Sequence, residues 1–194
     1  AIRTLAVSVS ELGNILRALQ AANLPVIPLK GACLAEAVYG NIALRPMGDV
    51  DLLVKPDDMA QALDVLRALG YASERSFDPL AEQTVSQHMP PISKPGGLRV
   101  EMHWTIVNPR SKVHFENDDL VQLWSRANPV RIGGVQSLML SPVDMLLHLC
   151  LHVSVQHRFA SAGVRNCLDI AQVSRRYGDA IDWAQFTARA NQWG

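Results

Sequence analysis

Apolar residues recur along this chain at two spacings, and the switches between them divide it into segments. Leu12, Ile15, Leu16 and Leu19 fall three and four apart, one face of a 3.6-residue helix, and predict a helix over residues 9 to 22 with a cap-like start. Leu24 to Leu29 is too short and too evenly apolar for a helix and predicts a buried strand. Helix formers follow from Ala32 to Tyr39, closed by Gly40 at the C-cap, and Asn41 to Gly48 makes a connecting loop. Then the period changes to two. Asp49 and Asp51 alternate with Val50, Leu52 and Val54, the pattern of a core strand with one end open to a cleft, and side chains two apart on a strand share a face.

Pro56-Asp57-Asp58 opens a helix with Leu63, Leu66 and Leu69 as its buried stripe and Gly70 at its end; the two acids suit its first turn. Residues 71 to 94 are poorly periodic, with a strand expected near Thr84 to His88 and a turn at Pro95-Gly96-Gly97. Leu98 to Ile106 alternates again, with Val100, Met102 and Trp104 on one face and Arg99, Glu101, His103 and Thr105 on the other. A helix over 118 to 127 and a hairpin over 129 to 138, turned at Gly133-Gly134, complete this part. From Ser141, a capping serine followed by Pro142, the chain reads as helices alone, with further ones over 162 to 177 and 182 to 192. The expected division is therefore 1–140, an α/β core with an N-terminal helix, and 141–194, a helical region expected to be incomplete at its C-terminus because the chain runs from Ala1, with no Met, to Gly194 just after a helical pattern.

Composition narrows the partners. Eighteen basic and eighteen acidic residues balance to a formal charge of zero, and basic residues cluster only at Arg175-Arg176, so neither a long nucleic acid nor an anionic membrane is the favoured partner. No apolar run reaches the ~18–20 residues of a membrane span. Cys33, Cys150 and Cys167 are odd in number and widely spaced, which suits reduced core thiols in a cytoplasmic protein.

The candidate chemistry lies in the alternating strands. Two acids side by side on one strand are hard to explain as packing. A mid-strand glutamate is disfavoured unless it is exposed or functional. If the two strands are neighbours, Glu101 completes a three-carboxylate cluster with Asp49 and Asp51, and His103 stands one strand-step away. Carboxylate oxygens suit Mg²⁺, which prefers to be shared with substrate phosphates. Two ions so held bridge the attacking and leaving oxygens of an in-line phosphoryl or nucleotidyl transfer. Lys30-Gly31 ends one strand and begins a helix, which is either a tight turn or a phosphate seat built from free N–H groups. Arg45, on the loop feeding the acidic strand, reads either as a phosphate contact or as a solvated loop arginine.

The segments L-K-G-A-C-L-A-E-A-V-Y-G, R-P-M-G-D-V-D-L-L-V and V-E-M-H-W, with L-S-P-V-D-M-L-L-H-L-C-L-H and R-N-C-L-D-I-A further on, resemble the uncharacterised nucleotidyltransferase family of the DNA polymerase β-like superfamily. The resemblance runs from about Leu24 to the C-terminus. It implies an α+β fold, a small mixed sheet flanked by helices and followed by a helical substrate-side region. It implies that Asp49 and Asp51 hold two Mg²⁺ ions (or Mn²⁺), that Glu101 is the third carboxylate and activates the acceptor hydroxyl, and that Gly31 shapes the triphosphate turn. The reaction implied is transfer of a nucleoside monophosphate from an NTP such as ATP to a small-molecule or protein hydroxyl. One departure stands out: superfamily members carry Gly-Ser at the turn, and here Ala32 follows the glycine. That departure motivates an alternative, a catalytically weak or inactive nucleotide-binding module of the same fold.

His148 and His152 lie four apart on one helix, with Arg165 and Asp169 on the next. They read as satisfied, partly buried histidines, as cleft residues that contact nucleotide or acceptor, or, with Asp169, as ligands of a His-based metallohydrolase. Asp169 also reads as a structural partner of Arg165 or His152.

Overall fold

The computed structural model describes residues 2–156, 159 and 163–194, with side chains from Ser10 onward. In chain order the elements are α1 (Ile2–Ala21), β1 (Val26–Leu29), α2 (Lys30–Ala37), β2 (Asp49–Val54), α3 (Met59–Ala68), β3 (Ala72–Ser73), α4 (Pro79–Gln83), β4 (Ile92–Ser93), β5 (Arg99–His103), α5 (Asn117–Ser125), β6 (Asn128–Ile132), β7 (Val135–Met139), α6 (Pro142–Leu151), α7 (Val164–Tyr177) and α8 (Trp183–Trp193). Helices flank a mixed five-stranded sheet of order β1-β2-β5-β4-β3.

The two alternating segments are the paired centre of that sheet. β2 lies parallel to β5, with Asp49 opposite Arg99, Asp51 opposite Glu101 and Leu53 opposite His103. β1 closes one side antiparallel to β2, bringing Leu29 opposite Asp51, so that Lys30 emerges beside the acid as β1 ends. From Val50 to Val54 the strand is buried throughout while Asp49 is exposed, which is the expected core strand open at one end.

One apolar cluster extends from Leu12 through the sheet to Leu149 and Trp193, so buried residues on both sides of residue 140 share a core. The hairpin β6–β7 rests on the N-terminal helices. Gly133 and Gly134 turn it with φ of 57° and 75°, values that favour glycine. A Cβ on Gly13 of α1 would stand 2.6 Å from the Gly133 carbonyl oxygen, so a side chain there would force the turn off the helix.

Three expectations are corrected. The first helix begins at Ile2, and the supposed cap region lies inside it; Glu11 instead accepts the Tyr71 hydroxyl at 2.7 Å and pairs with Lys94. Residues 84 to 88 are not a strand. Asp78 caps the Leu80 N–H and Pro79 takes the first helical position, so the segment opens as α4, and only His88 bridges to His103. Cys33 is a core thiol, its pKa pushed up to about 12 by burial and by Glu36, but Cys167 is exposed. Ala162, the expected start of the penultimate helix, lies outside the described residues. Among those described, no helix is long and apolar enough to cross a membrane.

Candidate active site

Parallel register brings Asp51, Glu101 and His103 together: one ligand atom from each lies within 4.8 Å of the others. Asp51 is buried at 4% exposure, and its Oδ1 is met by two donors. His103 Nε2 approaches it at 2.9 Å, and so does Lys30 Nζ. Burial alone would raise the Asp51 pKa, but the His103 hydrogen bond and the Lys30 charge outweigh it and hold the carboxyl well below the usual range. Burial also lowers the pKa of His103, so its ring is neutral near pH 7 and offers one N–H. With that proton on Nε2, donated to Asp51, His103 Nδ1 is left buried with no partner among the described residues. The imidazole thereby fixes the carboxylate from behind.

Glu101 is partly buried between His88, whose Nε2 lies 3.8 Å away, and Arg99, at 3.4 Å. Asp49 stands outside the tight cluster, on the rim of the same cleft of about 380 Å³ that Lys30, Gly31, Asp51 and Glu101 line. Lys30 carries a φ of 46°, a left-handed conformation that costs a non-glycine residue of order 1 kcal/mol. It starts α2 in that conformation, and the ammonium reaches Asp51. At Gly31 a Cβ would lie 3.2 Å from both Arg45 Nη1 and Met47 Cγ, so the absence of a side chain there lets the loop close against the turn.

Arg45 is buried, and its guanidinium is occupied. Nε and Nη2 grip Asp169 of α7 at 2.9 and 2.8 Å, while Nη1 donates to the Pro46 carbonyl. Tyr39 adds its hydroxyl to Asp169 at 2.7 Å, and burial together with that bond pushes the phenol up to about 12. Asp169 therefore takes Arg45 and Tyr39 as partners in place of Arg165 or His152, and the group ties α2 and its loop to α7.

The histidine pair divides. His152 lines the cleft and bonds Gln156 through Nδ1. His148 is fully buried, and neither ring nitrogen finds a partner among the described residues. Arg165 is exposed at the cleft mouth. Among the described residues the group able to hold a metal is Asp51, Glu101 and His103, and it includes neither His148, His152 nor Asp169.

Local patterning missed a further buried carboxylate, in addition to Asp51 and Asp169. Asp144 of α6 is 0% exposed; Arg126 clamps it with two bonds of 2.9 Å, Arg189 adds one of 2.8 Å and Ser141 one of 2.6 Å. Its place after a capping serine was the only sequence signal, and that signal reads equally well as an ordinary first-turn acid.

Acidic residues in register on parallel strands thus face a strand-to-helix turn across an open cleft. The chain belongs to the family described as uncharacterised nucleotidyltransferases, whose profile matches residues 2–194. Among curated proteins none matches it in sequence. Solved structures share its fold. The solution structure of the antibiotic-resistance factor ANT(2'')-Ia superposes with a TM-score of 0.63 at 11% identity, covering 94% of this chain and 89% of that one. The crystal structure of ANT(2'')-Ia with adenylyl-2''-tobramycin gives 0.60 at 12% identity, covering 92% and 94%. An antigenic nucleotidyltransferase-like protein from Paracoccidioides brasiliensis gives 0.49 at 18% identity, covering 86% and 77%.

Proposed function

We propose that this protein transfers a nucleoside monophosphate from an NTP to a hydroxyl of a small-molecule acceptor, with Asp49, Asp51 and Glu101 holding two Mg²⁺ ions, or Mn²⁺ in their place. The observation that carries this reading is the Asp51–Glu101 register pair, its ligand atoms within 4.8 Å of one another beside Lys30. The donor set fits such ions: carboxylate oxygens are their preferred ligands, and His103 is already engaged in holding Asp51. When bound, the ions supply positive charge to the α-phosphate and to the departing pyrophosphate. A small acceptor agrees with the balanced charge of the chain and with the adenylylated small molecule bound to ANT(2'')-Ia.

The chain's own residues act as follows. Glu101 accepts the proton of the acceptor hydroxyl as that oxygen bonds to the α-phosphorus. The bond from the α-phosphorus to the bridging oxygen breaks, and pyrophosphate leaves with the electron pair. Lys30 Nζ and the Gly31 turn receive the β- and γ-phosphates. Arg45, committed to Asp169, braces Gly31 and does not reach for phosphate. The helical region from residue 141 supplies the opposite wall through His152, Arg165 and Asp169.

The alternative of an inactive nucleotide-binding module rested on Ala32. Ala32 packs into the core at 2% exposure and is not part of the cleft wall, so the missing hydroxyl removes nothing from that wall. Incubation with α-labelled NTPs, Mg²⁺ and a panel of polyols tests the choice. Label should pass to an acceptor and fall at least a thousandfold in Glu101→Gln; Mg²⁺–NTP binding with no transfer to any acceptor would favour the module instead.

A further inference from the structure

Beyond the carboxylate cleft lies a second cavity, of about 740 Å³, lined by Arg110, Ser111, Lys112 and Ser154. It shares two residues, Gln87 and Gln156, with the wall of the first. Gln87 is fixed between them: its backbone carbonyl accepts from Trp104 N–H at 3.2 Å, directly after the β5 residues that carry Glu101 and His103. The residue is more than nine-tenths buried, and its amide oxygen is shielded from solvent with no partner among the described residues.

The two cavities differ in their charged groups. The first is lined by the carboxylates of Asp49, Asp51, Glu101 and Asp169 beside Lys30, Arg45 and Arg165, whereas none of the described residues lining the second is acidic. Arg110 and Lys112 are exposed and, among the described residues, neither side chain has an ion-pair partner. The turn that presents them is held by its own bonds, from Arg110 N–H to Asn108 Oδ1 and from Val113 N–H to Ser111 Oγ.

We infer that the second cavity is the acceptor's subsite, and that the acceptor is an anionic polyol such as a sugar phosphate or sugar acid. The inference rests on the transfer reading above and names its acceptor class. The anionic group lies at Arg110 and Lys112, and an uncharged hydroxyl passes along Gln87 and Gln156, which line both cavities, to Glu101. An anion would be attracted to Arg110 and Lys112 and a polycationic amine repelled by them, so charge sets the choice of acceptor.

Ligand-observed NMR titrations test this with glucose 6-phosphate, gluconate, glucose and spermidine as probes. At least one of the two anions should bind tenfold or more tighter than glucose and spermidine. In the double variant Arg110→Ala/Lys112→Ala that affinity should fall at least tenfold, while MgATP affinity stays within about twofold. Spermidine or glucose binding as tightly as the anions, failure of both anions to bind, or an unchanged double variant would overturn the assignment. A parallel loss of MgATP affinity would give the cavity to the nucleotide and overturn it as well. The readout is binding and not turnover, so a protein that transfers nothing yet shows this contrast loses the proposed function and keeps the subsite.

Discussion

Asp51 and Asp144 are both buried carboxylates with cationic partners, and they are built for opposite ends. Asp144 is saturated: two guanidinium groups and a serine hydroxyl occupy both of its oxygens, joining α5, α6 and α8. Asp51 has its two donors on one oxygen, a neutral imidazole behind and the ammonium of Lys30 on the cleft side. A guanidinium fork holds planar geometry and gives it up reluctantly, whereas an ammonium on a flexible stem is a point charge that another cation can replace. The closed carboxylate is structural, and the one with an exchangeable partner faces the cleft.

The largest test of that contrast is a crossover between two isosteric variants. Asp144→Asn leaves Arg126 and Arg189 facing an amide and should cost roughly 3 kcal/mol, the lower range for breaking a buried pair. For a chain of this length that is a Tm lower by about 6–12 °C, with transfer within about threefold wherever the protein remains folded. Asp51→Asn should do the reverse, removing transfer at least a thousandfold while lowering Tm by only a few degrees, because Lys30 can turn to solvent and His103 can still donate to the amide. Thermal melts and transfer assays on the pair check it; similar losses in both measurements for both variants would erase the distinction.

The same contrast marks what could be read from the sequence. Alternation at Val50-Asp51-Leu52 and at Val100-Glu101-Met102 is a local signal, and it found both strands and the acids on them. The chain order of the helices other than α4 and the Gly133-Gly134 hairpin were legible for the same reason. The grip of Arg45 on Asp169 joins residues 124 positions apart, and that of Arg189 on Asp144 joins residues 45 apart. Such pairs leave no periodic trace, so Arg45 read as a phosphate contact or a solvated loop arginine, and nothing marked Asp144 beyond its place after Ser141. His148 was misleading in another way: its helical spacing to His152 is real, but only His152 reaches the cleft.

A smaller effect sharpens the role of Lys30. If its ammonium holds the place of a cation at Asp51, it opposes metal binding until phosphates draw it away. Lys30→Met should then raise affinity for Mn²⁺ in the absence of nucleotide by about tenfold, of order 1.4 kcal/mol, and reduce the gain in Mn²⁺ affinity that ATP brings. Electron paramagnetic resonance of free Mn²⁺ measures both. Unchanged or weaker Mn²⁺ binding in the variant would make Lys30 a fixed partner of Asp51, no more exchangeable than the arginines of Asp144.

The smallest effect concerns the layer behind Asp51. Burial lowers the pKa of His148 well below its ordinary value, and the nearby Lys30, His152 and His103 lower it further against the opposing pull of Asp51. His103 is lowered as well. Above about pH 6.5 such a histidine is neutral in both folded and unfolded chains, and stability does not depend on it. Below that value the unfolded chain takes up a proton that the folded one refuses, so stability falls as pH drops, by about 1.4 kcal/mol per unit for each group. Asp51 acts in a lower window, because its depressed carboxyl loses its contribution only as pH falls below the ordinary aspartate value near 3.8. Melts of His148→Leu between pH 6.5 and 5 should therefore show a slope shallower by about one group's worth, with His103 supplying the remainder. At pH 7.5 the variant should be no less stable than the parent, since it removes two buried ring nitrogens that lack partners among the described residues. A slope identical to the parent's, or a loss of stability at pH 7.5, would mean that the imidazole makes bonds the packing around Asp51 depends on, and the carboxylate would then be closed from behind as firmly as Asp144.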